Sequence, residues 1–270
     1  MNFLIGANGL LGKALEKRFN PVVIERATYS EWHKTDSQKQ IVEFLRGQGM
    51  KKGSTIYLAS GILDQSNEKL LRQVNYELPK NIIQSLKEEE ISVITFGTIL
   101  EALLPGLNAY SKSKVLLSNF LKNMESSKIN CIHIRIHTLY GGDKIHDHMF
   151  LGLIQDAIKH NKEFKMTAGK QLREYHHLDD VIYCINWLIE NNHSGIINLN
   201  NGKPVQLVQL AKSIFSSFKK SELLTINNDD LVSNEIYNKQ VPHDAYDDLP
   251  DRDHIDQITR YIHRTLSTKT

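Results

Sequence analysis

Along the chain, short apolar runs bounded by turn residues alternate with longer stretches in which apolar positions recur every three or four residues. The runs are NFLI (2–5), PVVIE (21–25), STIYLAS (54–60), ISVITFG (91–97), INCIHIRI (129–136) and GIINLN (195–200). Runs of this length, flanked by glycine, proline or asparagine, read as strands, and apolarity at consecutive positions marks strands buried on both faces. Helical spacing between them predicts helices over 10–19, 37–48, 68–88, 109–125, 178–191 and 205–218. Such alternation predicts an α/β protein with a parallel sheet covered by helices on both faces.

The alternation fails after residue 219, where KKSELLTINNDDLVSNEIYNKQVPHDAYDDLPDR turns polar. A small second lobe is expected from 219–252 together with 141–175, and 253–270, which contains HIDQITRYIHRTL, is expected to return as a final helix packing back. The main body would then comprise 1–140 and 176–218. No internal repeat or low-complexity linker interrupts the pattern.

Composition excludes more than it identifies. No apolar run among the 270 residues approaches the ~18–20 needed to cross a bilayer, so no membrane role is expected. The formal charge of +2 comes from 33 basic and 31 acidic residues spread along the chain, without the basic stripe that nucleic acid requires. Cys131 and Cys184 lie in an apolar strand and an apolar helix, outside any C-x-x-C pair, and read as buried free thiols in a reducing compartment. Twelve histidines, including His146 and His148 and the pair His176–His177, fall in no zinc-ligand spacing, so no metal is expected. The N-terminus has no basic segment followed by an apolar run and cleavage site, which suits a cytoplasmic protein.

The first strand runs into GANGLLG, with Gly6, Gly9 and Gly12 spaced G-x-x-G-x-x-G at the start of a helix. Glycines there permit a tight turn and close approach of a pyrophosphate, while the helix start supplies unpaired N–H groups. Gly6, Asn8, Gly9, Leu10, Leu11 and Gly12 are therefore expected to bind a dinucleotide, in a Rossmann-type doubly wound fold with a small C-terminal substrate-binding lobe. Glu25, 19 residues after Gly6, is placed for an adenosine ribose and favours NAD. Arg26 beside it could pair a 2′-phosphate and favours NADP. The two signals conflict, leaving NAD(P) with a lean to NADPH.

Further motifs follow in order. YLASG (57–61) and VNYELPKNII (74–83) are succeeded by VITFGT (93–98), AYSKSK (109–114), IRIHTLYGG (134–142) and GKQLREYHHLDDV (169–181). Together with the glycine loop they resemble the extended short-chain dehydrogenase/reductase superfamily, the nucleotide-sugar epimerases, dehydratases and reductases, over about residues 2–215. The resemblance implies cofactor contacts from Ala59, Ser60, Gly61, Asn75, Tyr110, Lys114 and His137. It also implies substrate contacts from Thr138, His148 and Arg173, the last a planar fork for the phosphates of a nucleotide sugar.

Three Tyr-xxx-Lys pairs occur, Tyr76/Lys80, Tyr110/Lys114 and Tyr140/Lys144. Pro79 interrupts the first and Gly141–Gly142 the last, both poor helix material. Tyr110/Lys114 lies on an expected helix free of such residues, 12 residues beyond Thr98 at the carboxyl end of its strand, where functional groups gather in doubly wound sheets. The resemblance implies hydride transfer coupled to proton transfer, with Thr98, Tyr110 and Lys114 catalytic. Lys114 is expected to lower the Tyr110 pKa and to reach the cofactor ribose. Ser111, Lys112 and Ser113 read as plain helix positions, and Asp179 and Asp180 as N-caps.

Departures from the family pattern narrow the reaction. Ile99 and Leu100 follow Thr98 where dehydratases carry Asp-Glu. His148 falls near the histidine acid of the epimerase-reductases, but Leu100 stands at their cysteine base. The expectation is NAD(P)H-dependent reduction of a nucleotide 4-keto-deoxysugar in surface-polysaccharide precursor synthesis. A 4-epimerase with tightly held NAD is the alternative, and a non-catalytic dinucleotide-binding sensor or scaffold the alternative of another class. The only assembly entertained is a homodimer, with the oligomeric state left open.

Overall fold

A computed structural model describes residues 1–124, 128–143, 145–227 and 240–267. The chain opens with β1 (Asn2–Ile5), α1 (Leu10–Phe19), β2 (Val22–Ile24), α2 (Arg26–Tyr29), α3 (Gln38–Gly47) and β3 (Thr55–Leu58). There follow α4 (Glu68–Arg72), α5 (Leu78–Leu86), β4 (Ser92–Thr98), α6 (Leu100–Leu103), α7 (Ala109–Lys122) and β5 (Asn130–Ile136). Then come β6 (Thr138–Tyr140), α8 (Phe150–His160), β7 (Phe164–Thr167), β8 (Leu172–Arg173), β9 (Tyr175–His177) and α9 (Leu178–Glu190). The chain continues through β10 (Gly195–Leu199), β11 (Val205–Gln206), α10 (Leu207–Ser217), β12 (Leu224–Asn227) and α11 (His254–Ser267). All six expected strands and all six expected helices are present.

Two compact units divide the chain. The first comprises Met1–Ile136 and Ile185–Leu199, the second His137–Cys184 and Asn200–Thr270, its described part ending at residue 267. In the first unit six parallel strands run in the order β10-β5-β4-β3-β1-β2. This is the doubly wound parallel sheet that the alternation predicts. Phe3, Ile5, Ile56, Leu58, Ile82 and Val93 form its apolar core with Ile41 and Leu45 of α3. Parallel strands buried on both faces need apolar residues at successive positions, which is why the strand signals were continuous.

The 68–88 helix departs from regularity. Residues Gln73–Glu77 form a π-turn between α4 and α5, and Pro79 sits in the first turn of α5. Proline's missing N–H costs nothing there, and the π-turn absorbs the register change. Tyr76 and Lys80 thus lie on helical backbone after all, contrary to the expectation from Pro79, with the Lys80 ammonium 5.5 Å from the Tyr76 ring centroid.

The second unit is built around α8, α10 and α11, whose Ile154, Leu210, Ile214, Ile258 and Ile262 share one core. α10 was expected with the main body. Its apolar face, including Leu210 and Ile214, packs instead in this second core. β7 pairs in parallel with β12, which joins the 141–175 and 219–252 stretches; residues 228–239 of the latter lie outside the described residues. Among the described residues no helix is long and apolar enough to cross a membrane.

Candidate functional site

Register brings the glycine loop to a strand end shared by its neighbours. Ile5, the last residue of β1, lies beside Ile24 of β2 and Leu58 of β3. The segments that follow, Gly6–Gly12, Glu25–Arg26 and Ala59–Gly61, therefore leave the same edge of the sheet. Gly6 adopts a left-handed φ of 93°, and a Cβ there would stand 2.3 Å from the Ser60 backbone nitrogen. A Cβ on Gly12 would stand 2.1 Å from the Gly6 carbonyl oxygen, so α1 can approach the turn only as glycine. Gly9 is the N-cap of α1 and brings no side-chain cap, leaving the first N–H groups of the helix for an outside acceptor. Asn8, Gly9 and Leu10 are exposed around this cradle and Leu11 is half-buried. The loop fits a dinucleotide pyrophosphate on these grounds. Glu25 caps α2, Arg26 begins it, and both are exposed.

Thr98 closes β4 on the same sheet edge, and Tyr110 is the second residue of α7. α7 starts where it does because Asn108 accepts from the Ser111 N–H at 2.8 Å while the Ser111 hydroxyl accepts from the Asn108 N–H at 3.1 Å. Ser111 is thus half of a capping box rather than a plain helix position. One turn beyond Tyr110, Lys114 is buried, its ammonium donating to the Phe96 carbonyl at 3.0 Å. Asn75, in the π-turn, pairs with both backbone groups of Ile62 at 3.0 and 3.1 Å and donates to Ser113 Oγ at 3.0 Å. Ser113 in turn donates to the Tyr110 carbonyl at 2.7 Å, a second role that the sequence did not suggest. A Cβ placed on Gly61 would lie 3.5 Å from both Asn75 Oδ1 and Lys114 Nζ. Gly61, Asn75, Ser113 and Lys114 are therefore one cluster beside the glycine loop's neighbour strand.

The electrostatics differ from the expectation. Burial, assisted by the negative charge of Glu101, pushes the Tyr110 phenol up to about 12. Burial draws the Lys114 ammonium below its usual range, and Glu101 partly offsets this. Burial thus outweighs the lowering that a lysine one turn away was expected to bring to Tyr110.

Glu101 was missed by the sequence reading. It is 5% exposed, and its carboxylate accepts from the Thr98 N–H at 2.7 Å, His133 Nε2 at 3.0 Å, Arg135 Nε at 3.2 Å and the Ser118 hydroxyl. Burial opposes its charge, but His133 and the Ser118 and Thr98 donors outweigh that and hold the carboxyl down to about 2. The detectable signal was His133 and Arg135 in the apolar strand INCIHIRI: same-face polar residues in a doubly covered strand demand buried partners.

The remaining expected residues lie in the second unit. His137 is buried with Nε2 2.9 Å from Asn200 Oδ1, and burial lowers its pKa. Thr138 is half-buried on β6, opposite Tyr175 of β9, with its N–H bonded to the Glu174 carbonyl. Arg173 is half-buried on β8, donating to the Leu172 carbonyl at 2.9 Å and Gln171 Oε1 at 3.2 Å. His148 is exposed in the turn before α8, its ring 6.2 Å from that of His146. Asp179 and Asp180 lie within the first turn of α9 rather than capping it, and Asp180 pairs with Arg252 at 3.3 Å. Tyr140 donates to Gln257 at 3.1 Å; Lys144, its sequence partner, lies outside the described residues. Cys184 is buried and Cys131, which belongs to the first unit, is half-buried; both are free thiols.

His137, Glu174 and His176 bring three potential ligand atoms within 4.8 Å of one another. Hydrogen bonds account for the arrangement without a cation. Glu174 accepts from the Asn201 N–H at 2.7 Å and from His176 Nε2 at 3.1 Å, while the Tyr246 hydroxyl meets His176 Nδ1 at 2.6 Å. A cavity of about 420 Å³ lined by Leu121, Met124, Ile129 and Ile196 lies at the start of β5 and β10, the sheet edge opposite the glycine loop, and has no part in this site.

A parallel sheet whose first turn is cut away for a pyrophosphate defines a dinucleotide-binding α/β protein. The chain belongs to the NAD dependent epimerase/dehydratase family, within the extended short-chain dehydrogenase/reductases; the family model matches residues 3–200. It is an NAD(P)-dependent enzyme family. A curated relative, the ADP-L-glycero-D-manno-heptose-6-epimerase of Brachyspira hyodysenteriae, is 25% identical over 180 residues, 59% of this chain and 57% of the relative. The match therefore spans little more than half of that relative's length. The structure of RMD from Pseudomonas aeruginosa complexed with NADPH superposes with a TM-score of 0.76 at 15% identity, covering 100% of this chain and 99% of the other. That of dTDP-4-dehydrorhamnose reductase from Yersinia enterocolitica gives 0.71 at 17% identity over 98% and 99%. At these identities the two structures establish likeness of fold.

Proposed function

We propose that this protein is an NAD(P)H-dependent reductase of a nucleotide 4-keto-deoxysugar, using Thr98, Tyr110 and Lys114. The observation that carries the reading is the placement of the Tyr110 phenol on the first turn of α7, whose next turn sets the buried Lys114 against the Gly61–Asn75 cluster, at the sheet edge where β4 ends in Thr98. A group that stays protonated throughout the neutral range suits the proton donor of a reduction. The dinucleotide, when bound on the Gly6–Gly12 loop, supplies the two-electron redox chemistry at carbon. Tyr110 gives its phenolic proton to the carbonyl oxygen as that oxygen gains charge, and the Thr98 hydroxyl hydrogen-bonds the same oxygen. Lys114 stabilises the phenolate left behind.

Arg173 is assigned to the phosphates of the sugar nucleotide, with Thr138 and His148 beside the sugar and His137 beside the cofactor. Arg26 supports NADPH, and the NADPH-bound RMD and the Yersinia reductase are consistent with reduction. The 4-epimerase is the second reading, favoured by Glu25 at the end of β2 and by the epimerase name of the Brachyspira relative. Surface-polysaccharide precursor synthesis is the role that the family resemblance implies for either substrate.

Purified protein given NADPH and a 4-keto nucleotide sugar is expected to consume the two in equal amounts. Tyr110→Phe should lower turnover by about 10²–10⁴ while cofactor binding persists. Substrate interconversion with no net cofactor use, and NAD found by mass spectrometry of the denatured protein, would establish the epimerase instead. Cofactor binding with no activity sensitive to Tyr110→Phe would leave the sensor.

A further inference from the structure

We propose that Glu101 is the positioning residue of the Thr98–Tyr110–Lys114 set, its buried carboxylate fixing the end of β4 and supplying the field in which Tyr110 and Lys114 work. The inference rests on the functional reading above for what the set does, but its geometry stands independently. Thr98 is the last residue of β4, where ladder bonding ends, and its N–H goes to Glu101 Oε1 at 2.7 Å. A carboxylate acceptor makes that a charge-assisted bond, stiffer than a water would provide. The Thr98 hydroxyl, accepting from the Leu100 N–H at 3.3 Å, is thereby held on a backbone anchored at both sides.

The other carboxylate oxygen, Oε2, is held from two elements. β5 supplies His133 and Arg135, and α7 supplies Ser118, two turns beyond Tyr110. Arg135 also donates to Ser118 Oγ at 3.1 Å, and His133 Nδ1 lies 2.7 Å from Thr95 Oγ1. Glu101 therefore ties β4, β5 and α7 together immediately behind the proposed site. The sheet leaves room for it: Gly97 stands opposite Arg135 in register, and a Cβ there would be 2.2 Å from Glu101 Oε1 and 2.5 Å from His133 Nε2. A glycine vacancy filled by an ionised side chain, itself neutralised by Arg135, is a built feature of the site's foundation.

The charged and titratable groups facing Glu101 are His133 and Arg135 from β5 and Tyr110 and Lys114 from α7. Its charge raises both Tyr110 and Lys114, favouring phenol over phenolate and ammonium over amine. The first shift extends into the alkaline range the pH over which Tyr110 holds its proton, and the second favours the charged form of Lys114.

The test uses Glu101→Gln, and Glu101→Gln/Arg135→Met, which removes the guanidinium left unpaired by the first change. In full-length protein with carbon-13-labelled tyrosine, NMR titration should place the Tyr110 midpoint lower by about one pH unit in both variants, a tenfold change in the phenol–phenolate ratio. The Thr98 amide should lose hydrogen-exchange protection in both. With substrate, kcat should fall about 10–100-fold with KM little changed, and the alkaline limb of the reduction profile should move to lower pH. The double variant should regain thermal stability without regaining these properties. If Tyr110 titrates as in the parent protein, or if the double variant recovers kcat along with stability, Glu101 is merely structural and the inference fails. The titration and exchange measurements need neither substrate nor cofactor. A wild-type rate in Tyr110→Phe, with those two measurements behaving as expected, would overturn the functional reading and leave the positioning role of Glu101 intact.

Discussion

Two of the buried carboxylates, Glu101 and Glu174, are held by different means. Glu101 in the first unit faces Arg135, whose charge does not change in any accessible pH range, besides His133 and two neutral donors. Glu174 in the second unit is met by His176 at 3.1 Å, His137 at 3.7 Å and the Asn201 N–H at 2.7 Å. Burial lowers the pKa of both histidines, taking His176 down to about 4. The first cluster is thus an ion pair reinforced by hydrogen bonds, whereas the second includes neutral imidazoles that acidification can charge. A carboxylate used to place reacting groups gains from a partner with a permanent charge.

The largest expected effect comes from deleting the first carboxylate. Glu101→Ala strands Arg135 in a position 7% exposed and should cost about 3–5 kcal/mol in denaturant unfolding. Adding Arg135→Met should recover most of that loss, since an apolar replacement removes the unpaired charge. If Glu101→Ala costs under about 1 kcal/mol, water reaches the guanidinium and the contrast between the clusters collapses.

Acid should separate the two units next. His137, His176 and His254 all have folded pKa values below 6.5, so as pH falls past 6.5 the unfolded chain takes up protons that the folded second unit refuses. Stability there should decline between 6.5 and about 4, by about 1–3 kcal/mol. Glu101 has the opposite chemistry: its folded value is near 2 against 4.5 unfolded, so its contribution is intact above 4.5 and lost only as pH falls toward 2. Hydrogen exchange at about pH 5 should therefore show faster opening in α10 and α11 than at pH 7, with β4 and β5 unchanged. Simultaneous opening of both sets would contradict the distinction.

Much of the first unit was legible in the sequence because its signals are local. Continuous apolar runs identify doubly covered strands, and Gly12 is dictated by its contact with Gly6, six residues away, while Gly6 is marked by the glycine spacing although the backbone it must clear is that of Ser60. What escaped depends on contacts remote in sequence. Thr95, Glu101, Ser118, His133 and Arg135 meet only because β4 and β5 pair in a particular register and α7 packs over them. The Tyr110–Lys114 spacing was readable, but not that Lys114 would donate to the Phe96 carbonyl while burial, assisted by Glu101, raised the tyrosine. Likewise Pro79 argued against a helix that a π-turn makes possible. The placement of α10 was misjudged because its apolar face fits either core by pattern alone.

The smallest expected effect tests the second cluster without touching its charges. The Tyr246 hydroxyl is 2.6 Å from His176 Nδ1, and with His176 Nε2 bonded to Glu174 the neutral ring is satisfied on both sides. In that tautomer Nδ1 accepts from the phenol, a bond that exists only while the imidazole is neutral. Tyr246→Phe should cost about 1 kcal/mol and, by removing support for the neutral form, move the His176 midpoint upward toward 6.5. Imidazole NMR across the acid range would measure it, while Tyr110 in the other unit should titrate as before. A His176 midpoint that stayed near 4 would mean that burial alone keeps the ring neutral, and that the tyrosine is packed against it without tuning it.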